Sequence, residues 1–279
     1  MNDDIIYHRD HQLEIKNSGD DMLQSVQINP TELCNRTCSF CPRHDKNIYP
    51  NQNKHIQVKT VENLCIALKE MKFNNRVGFV GFGEPLLCKT LIQCIRKVKE
   101  IIPDIKWLEV NTNGDKLTTS YIKELATAGC THIIVSMYDS DKTDFFNIMK
   151  GDIKIKFVFR HHYNHQNEYN LNIVNRSDLL SGCDKIYNTN PCNIPFYKLF
   201  IDWNGDVLLC ENNWKKDVIF GNINEESLSD IWYGSKINTY RNVLINNRDI
   251  RPCKNCSIGG KYRDRGNKSV ELYIKNVKS

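Results

Sequence analysis

The sequence predicts an α/β fold: a partial (β/α)6-type TIM barrel with a small C-terminal domain of β-hairpin plus helix. Two observations predict it. Short apolar runs alternate with polar loops and amphipathic segments four or five times between Val26 and Arg160, the pattern of successive right-handed βα units on a parallel sheet. A hairpin and a helix start then follow inside a second group of cysteines, beyond residue 190. The boundaries read from these shifts are an N-terminal extension at 1–22, the partial barrel at 23–185, the small domain at 186–260 and a basic tail at 261–279.

Each element has its own signal. Val26 to Asn29 alternates toward a strand, and Pro30, Thr31 and Glu32 turn the chain into a loop carrying Cys34, Cys38 and Cys41. His44 to Lys54 is polar, holds Pro50 and reads as a loop. Thr60 is the expected N-cap of a helix through Val61, Leu64, Cys65, Leu68 and Met71. Arg76 to Val80 is the next strand, ending in Gly81-Phe82-Gly83-Glu84-Pro85, and Thr90 opens a helix through Leu91, Cys94, Ile95 and Val98. Cys65 and Cys94 fall on the apolar faces and read as small core residues. Trp107 to Val110 leads into Asn111-Thr112-Asn113-Gly114, and a helix from Ser120 to Ala128 stops at Gly129. His132 to Ser136 precedes Met137-Tyr138-Asp139, and Ile155–Arg160 and Leu171–Val174 are further expected strands. The polar segments therefore follow strands, at the carboxyl edge where such sheets bind ligands.

Composition narrows the function. The 279 residues can bury a full core, and 25% charged with 40% hydrophobic residues describe an ordinary globular chain. No apolar run is long enough to span a bilayer, and Met1 to Asp10 is polar and acidic, so no membrane role is expected and the cytoplasm is the expected location. The charge of +5 is spread out except at the end, where Lys261, Arg263, Arg265, Lys268, Lys275 and Lys278 read as a solvated face. Nucleic acid is not expected as a partner. In a reducing compartment, twelve cysteines point to metal or redox chemistry rather than to disulfides.

Three thiols within eight residues, Cys34, Cys38 and Cys41, make a soft metal site. Structural zinc usually takes four protein ligands, whereas a four-iron cluster on three cysteines keeps one iron open. The C-x3-C-x2-C spacing, with Phe40 before the last cysteine, resembles the signature of the radical S-adenosylmethionine (radical SAM) family. That resemblance implies a 4Fe-4S cluster whose open iron chelates SAM and whose electron cleaves it to a 5'-deoxyadenosyl radical. It also implies an electron donor such as flavodoxin or ferredoxin. Gly81-Phe82-Gly83-Glu84-Pro85 is similar to the family's Gly-Gly-Glu segment, with Phe82 in place of the first glycine of that pair, which marks Gly83 and Glu84 as SAM-site residues. Asn111, Asn113 and Ser136 resemble the family's contacts to the ribose and carboxylate of SAM.

Cys192, then Gly205 and Cys210, then Cys253-x2-Cys256 resemble the SPASM and twitch extensions of the same family. No cysteine follows Cys256, which matches the truncated form. The resemblance implies one auxiliary 4Fe-4S cluster on Cys192, Cys210, Cys253 and Cys256, although four thiolates also suit structural zinc. The layout is similar to radical SAM dehydrogenases that oxidise a hydroxyl-bearing carbon of a small sugar- or cyclitol-like metabolite, so a small-molecule substrate is expected. Arg160, His161, Tyr163 and Arg176 are candidate substrate contacts, and no residue is assigned as base. The alternatives are modification of a ribosomal peptide, or epimerisation using Cys88, Cys130 or Cys183 to return a hydrogen atom. The non-enzymatic alternative is a zinc or iron-sulfur module that recognises RNA.

Overall fold

The computed structural model describes residues 22–162, 179–180, 190–257 and 266–278. The expected strand at Leu171–Val174, the candidates Tyr163, Arg176 and Cys183, the extension before Met22 and the tail residues Lys261, Arg263 and Arg265 lie outside them.

Five strands follow the expected order: β1 (Ser25–Ile28), β2 (Arg76–Phe79), β3 (Trp107–Thr112), β4 (His132–Met137) and β5 (Lys156–His161). The intervening helices are α1 (Val58–Glu70), α2 (Leu91–Ile101), α3 (Thr119–Thr127) and α4 (Thr143–Lys150). Each strand pairs in parallel with the one before it. The side chains of Leu108, Val110, Ile133, Val135, Phe157 and Phe159 pack into one core with Leu64, Leu68, Ile95, Val98, Ile122 and Leu125 of the helices. Cys65 and Cys94 are fully buried there, as the apolar spacing requires.

Beyond these come α5 (Ile194–Tyr197), β6 (Lys198–Ile201), β7 (Asp206–Leu208), β8 (Ile219–Asn222), α6 (Leu228–Tyr233), α7 (Ser235–Leu244) and α8 (Asn267–Lys278). β6 pairs in parallel with β1, so six parallel strands form the larger part of the sheet. The hairpin continues it through antiparallel β7 and β8, giving the order β5-β4-β3-β2-β1-β6-β7-β8. The hairpin is thus bonded directly to the barrel strands. Its tip turns through Gly205 at φ +94°, a left-handed conformation that glycine adopts without steric cost.

Three local readings change. Thr60 lies inside α1, whose N-cap is Gln57 without a side-chain bond. α4 carried no sequence signal, because its Phe145 and Ile148 are 56% and 81% exposed and blur the apolar stripe that would mark a helix. The end of the chain is not wholly solvated: within α8, Tyr273 is buried edge-on against Phe196, and Ser269 Oγ donates to the Met22 carbonyl at 2.7 Å.

Candidate functional site

The first three cysteines sit at the carboxyl edge of β1, half-buried, on a loop held by its neighbours on every side. Asn51 clasps Cys34 in both directions, accepting from its N–H and donating to its carbonyl, each at 2.9 Å. Arg43 donates to Asn51 Oδ1 at 3.0 Å and to Glu32 Oε2 at 2.9 Å, and its Nε reaches the Phe82 carbonyl. Arg36 forms a two-pronged pair with Asp115 and reaches Asp139 at 2.8 Å, tying the loop to the ends of β3 and β4. These carboxylates push the Arg36 guanidinium further up, so it stays charged.

Gly83 shows why this segment needs glycine. A Cβ there would lie 2.2 Å from the Thr31 carbonyl oxygen and 2.6 Å from that of Leu33, so only a bare backbone can pass the cysteine loop this closely. Glu84 N–H then donates to the Leu33 carbonyl at 2.7 Å. Its buried carboxylate accepts from Leu86 N–H at 3.0 Å, Thr112 Oγ1 at 2.6 Å and Asn113 N–H at 2.9 Å. Burial raises the Glu84 pKa despite those bonds, and the side chain acts as an internal brace between two strand ends.

Asn113 Nδ2 donates to Asn35 Oδ1 at 3.0 Å, joining the cysteine loop to the end of β3. Asn111 and Ser136 meet across β3 and β4, with Ser136 Oγ to Asn111 Oδ1 at 3.4 Å. Phe40 packs on Tyr138 at 5.1 Å between ring centroids, and Tyr138 stacks on His162 at 5.1 Å. Arg160 lies opposite Ser136 in the strand register, and its charge reaches Glu109 deeper in the sheet. The structure therefore gathers Phe40, Gly83, Glu84, Asn111, Asn113, Ser136 and Arg160 around one edge. Phe82 turns toward the hairpin instead, packing on Phe200 at 5.2 Å and Trp214 at 4.6 Å.

The four later thiols form a second group. Cys192 and Cys210 are half-buried, Cys253 and Cys256 buried. Cys192, Cys210 and Cys256 pack with Ile194 and Tyr197 in one small cluster. Burial raises the Cys192, Cys210 and Cys253 thiols, and the neighbouring sulfurs add to each rise. In the first group burial likewise raises Cys34, and Cys38 to about 11, with the neighbouring sulfurs again contributing. Among the described residues no three His, Cys, Asp or Glu side chains converge as a ready ligand set. The donor chemistry nonetheless suits iron-sulfur clusters: two groups of soft ligands whose mutual repulsion a bound cation would reverse. Of the alternative thiol donors, the two among the described residues are buried. Cys130 is buried against the Leu108 and His132 carbonyls at the amino ends of β3 and β4, and Cys88 is buried in the core beside Thr90.

Sequence reading missed the residues that hold the loop. Asn35, Arg36, Arg43, Asn51, Asp115 and Asp139 bond across gaps in the chain that reach from Arg36 to Asp139, which spacing does not reveal. The polar segments after strands, Asn111-Thr112-Asn113-Gly114 and Met137-Tyr138-Asp139, gave the local hints.

A parallel sheet with a three-cysteine loop after its first strand defines the class. The Radical SAM superfamily profile matches residues 28–173, over half of the chain, and the chain belongs to that superfamily; the profile of an iron-sulfur cluster-binding domain, SPASM, matches residues 192–257. Its cofactors are SAM and two 4Fe-4S clusters, and it is a radical SAM oxidoreductase. Among individual proteins, it is 28% identical over 244 residues to the S-adenosyl-L-methionine-dependent 2-deoxy-scyllo-inosamine dehydrogenase of Niallia circulans, covering 85% of this chain and 94% of that protein. The crystal structure of BtrN in complex with AdoMet and 2-DOIA superposes with a TM-score of 0.73 at 27% identity, covering 86% of this chain and 95% of that one. The GTP 3',8-cyclase of Chlorobaculum tepidum is 28% identical over 127 residues, 46% of this chain and 36% of that protein. These matches replace the RNA-binding alternative with an enzyme. No helix among the described residues is long and apolar enough to cross a membrane.

Proposed function

We propose that this enzyme oxidises a hydroxyl-bearing carbon of a cyclitol or a similar small polyol to a ketone. The observation that carries the reading is the similarity to a cyclitol dehydrogenase over 85% of this chain and 94% of that protein, beside the SPASM match over the second cysteine group. Cys34, Cys38 and Cys41 would hold the SAM-binding cluster, and Cys192, Cys210, Cys253 and Cys256 the second one. When bound, these groups supply a 5'-deoxyadenosyl radical and an acceptor for the electron left on the substrate.

The chain's own residues bind, orient and exclude water. Gly83 and Glu84 shape the wall against the cysteine loop, with Asn111, Asn113 and Ser136 as polar contacts for SAM and Phe40 as its apolar neighbour. Arg160, at the end of β5, is the substrate contact. The core behind these side chains fixes the strand ends on which they stand, which is what hydrogen abstraction requires of a scaffold. A reducing cytoplasm and a flavodoxin- or ferredoxin-type donor complete the reading.

The test is anaerobic incubation of reconstituted enzyme with SAM, dithionite and a panel of cyclitols led by 2-deoxy-scyllo-inosamine. The expected result is a product lacking two hydrogens, with one equivalent of 5'-deoxyadenosine per ketone. Deoxyadenosine without ketone from any polyol in the panel would overturn the substrate class.

A further inference from the structure

Arg248 lies between α7 and Cys253 and is only 5% exposed. A guanidinium taken out of water is costly unless something negative compensates it. No ion pair among the described residues includes it. Its Nε donates to the Asn190 carbonyl at 2.7 Å, two residues before Cys192. Cys192 N–H donates in return to the Leu244 carbonyl at 3.0 Å, four residues before Arg248. The two bonds stitch these segments together and hold Arg248 beside the segment that carries the first thiol of the group. On its other side the chain turns tightly, Ile250 N–H to the Arg248 carbonyl at 2.7 Å and Lys254 N–H to the Ile250 carbonyl at 3.0 Å, and so delivers Cys253.

The neighbouring charges leave Arg248 distinct. Glu211, next to Cys210, is engaged by Lys198 at 2.8 Å. Arg241 of α7 donates to the Pro195 and Trp232 carbonyls and lies over the Trp232 ring at 4.2 Å. The Arg248 charge is felt at both Cys192 and Cys253, where it opposes the effect of burial, whereas Asp217 acts on Cys253 with the opposite sign.

We propose that Arg248 is a positioning residue for electron transfer: its fixed positive charge compensates the thiolate-bound second cluster and raises that cluster's midpoint potential, making it a better electron acceptor. The inference rests on the assignment of Cys192, Cys210, Cys253 and Cys256 to that cluster. Reduction adds negative charge to a buried centre, and a cation fixed beside it favours the reduced form.

The experiment uses the full chain carrying Cys34→Ala, Cys38→Ala and Cys41→Ala, so that only the second cluster remains, with iron analysis and an EPR-monitored redox titration. Four irons per chain are expected with Arg248 intact, and no iron there would defeat the ligand assignment itself. Adding Arg248→Gln should keep four irons and make the cluster about tenfold harder to reduce, a midpoint about 59 mV more negative for a one-electron couple. Adding Arg248→Lys, which keeps the charge but not the fork, should leave the potential near that of the Arg248 protein. An unchanged potential in a fully loaded Arg248→Gln protein would overturn the proposal while leaving the ligand assignment standing. If Arg248→Gln does not load, a potential in Arg248→Lys displaced about tenfold in reducibility would overturn it equally, because charge is then not what matters.

Discussion

Single atoms decide much of the SAM-side geometry. Gly83→Ala places a methyl carbon against two backbone oxygens that cannot rotate away. It should destabilise the fold by about 3 kcal/mol, the upper end for overpacking, and lower iron loading at the first group, as read by thermal unfolding and iron analysis; unchanged loading and melting would show that the loops separate freely. Arg36 is the charged tie between the cysteine loop and the ends of β3 and β4. Because Arg36 and Asp115 are partly exposed, Arg36→Met should cost only about 1 kcal/mol of fold stability. Its larger effect should be a faster loss of iron from the first group than from the second, followed by chelator challenge of the cluster absorbance. Equal rates of loss from both groups would contradict that role.

Between elements, a buried polar knot fastens the cysteine loop to the hairpin side. Lys216, in the segment after Cys210, pairs with Glu32 at 2.7 Å and with Asp202 at 2.6 Å, while Asn29 bridges the same two carboxylates at 3.0 and 2.8 Å. Both carboxylates are almost fully buried, and burial raises the Asp202 pKa even against Lys216. Lys216→Met would leave them facing each other with one cation fewer. Breaking a buried pair costs about 3–5 kcal/mol, and because Lys216 is a quarter exposed the expected loss is about 2 kcal/mol. Adding Asp202→Asn should recover part of that loss, and strict additivity in urea unfolding would show the groups to be uncoupled. This knot also marks the limit of what the chain's pattern discloses. The strands through β5 and the helices α1 to α3 were legible because their apolar residues recur at the strand or helix period. Lys216, Glu32 and Asp202 are separated by up to 184 residues, and nothing local to any of them signals the pairing. The parallel pairing of β6 with β1 was hidden for the same reason: the hairpin signal gave its antiparallel partner, not its second edge.

At the scale of the whole molecule, the amino end of the sheet and the carboxyl end do different work. At the amino end, His132 stacks on Trp107 at 3.2 Å, and Arg76 grips Glu109, which also accepts from Trp107 Nε1. Burial lowers the His132 imidazole to about 4, with Lys156 and Arg76 assisting and Glu109 opposing. The folded value therefore lies below the unfolded value of about 6.5, so the unfolded chain takes up a proton first as the pH falls. This contribution to stability is complete above about 6.5 and is lost toward 4. Urea unfolding at pH 7 and pH 5 should show wild type losing more stability than His132→Gln; equal losses would clear His132 of that role. The carboxyl end carries the chemistry, and there the central claim is that two cysteine groups hold two clusters, only the first of which activates SAM. The most direct measurement is anaerobic iron and sulfide analysis of reconstituted wild type and of the Cys34/Cys38/Cys41 triple alanine variant, with 5'-deoxyadenosine assayed under dithionite. About eight irons falling to about four are expected, with deoxyadenosine formation abolished in the variant. Well-folded wild type that binds about four irons and one zinc, or deoxyadenosine formation that survives the triple substitution, would contradict it.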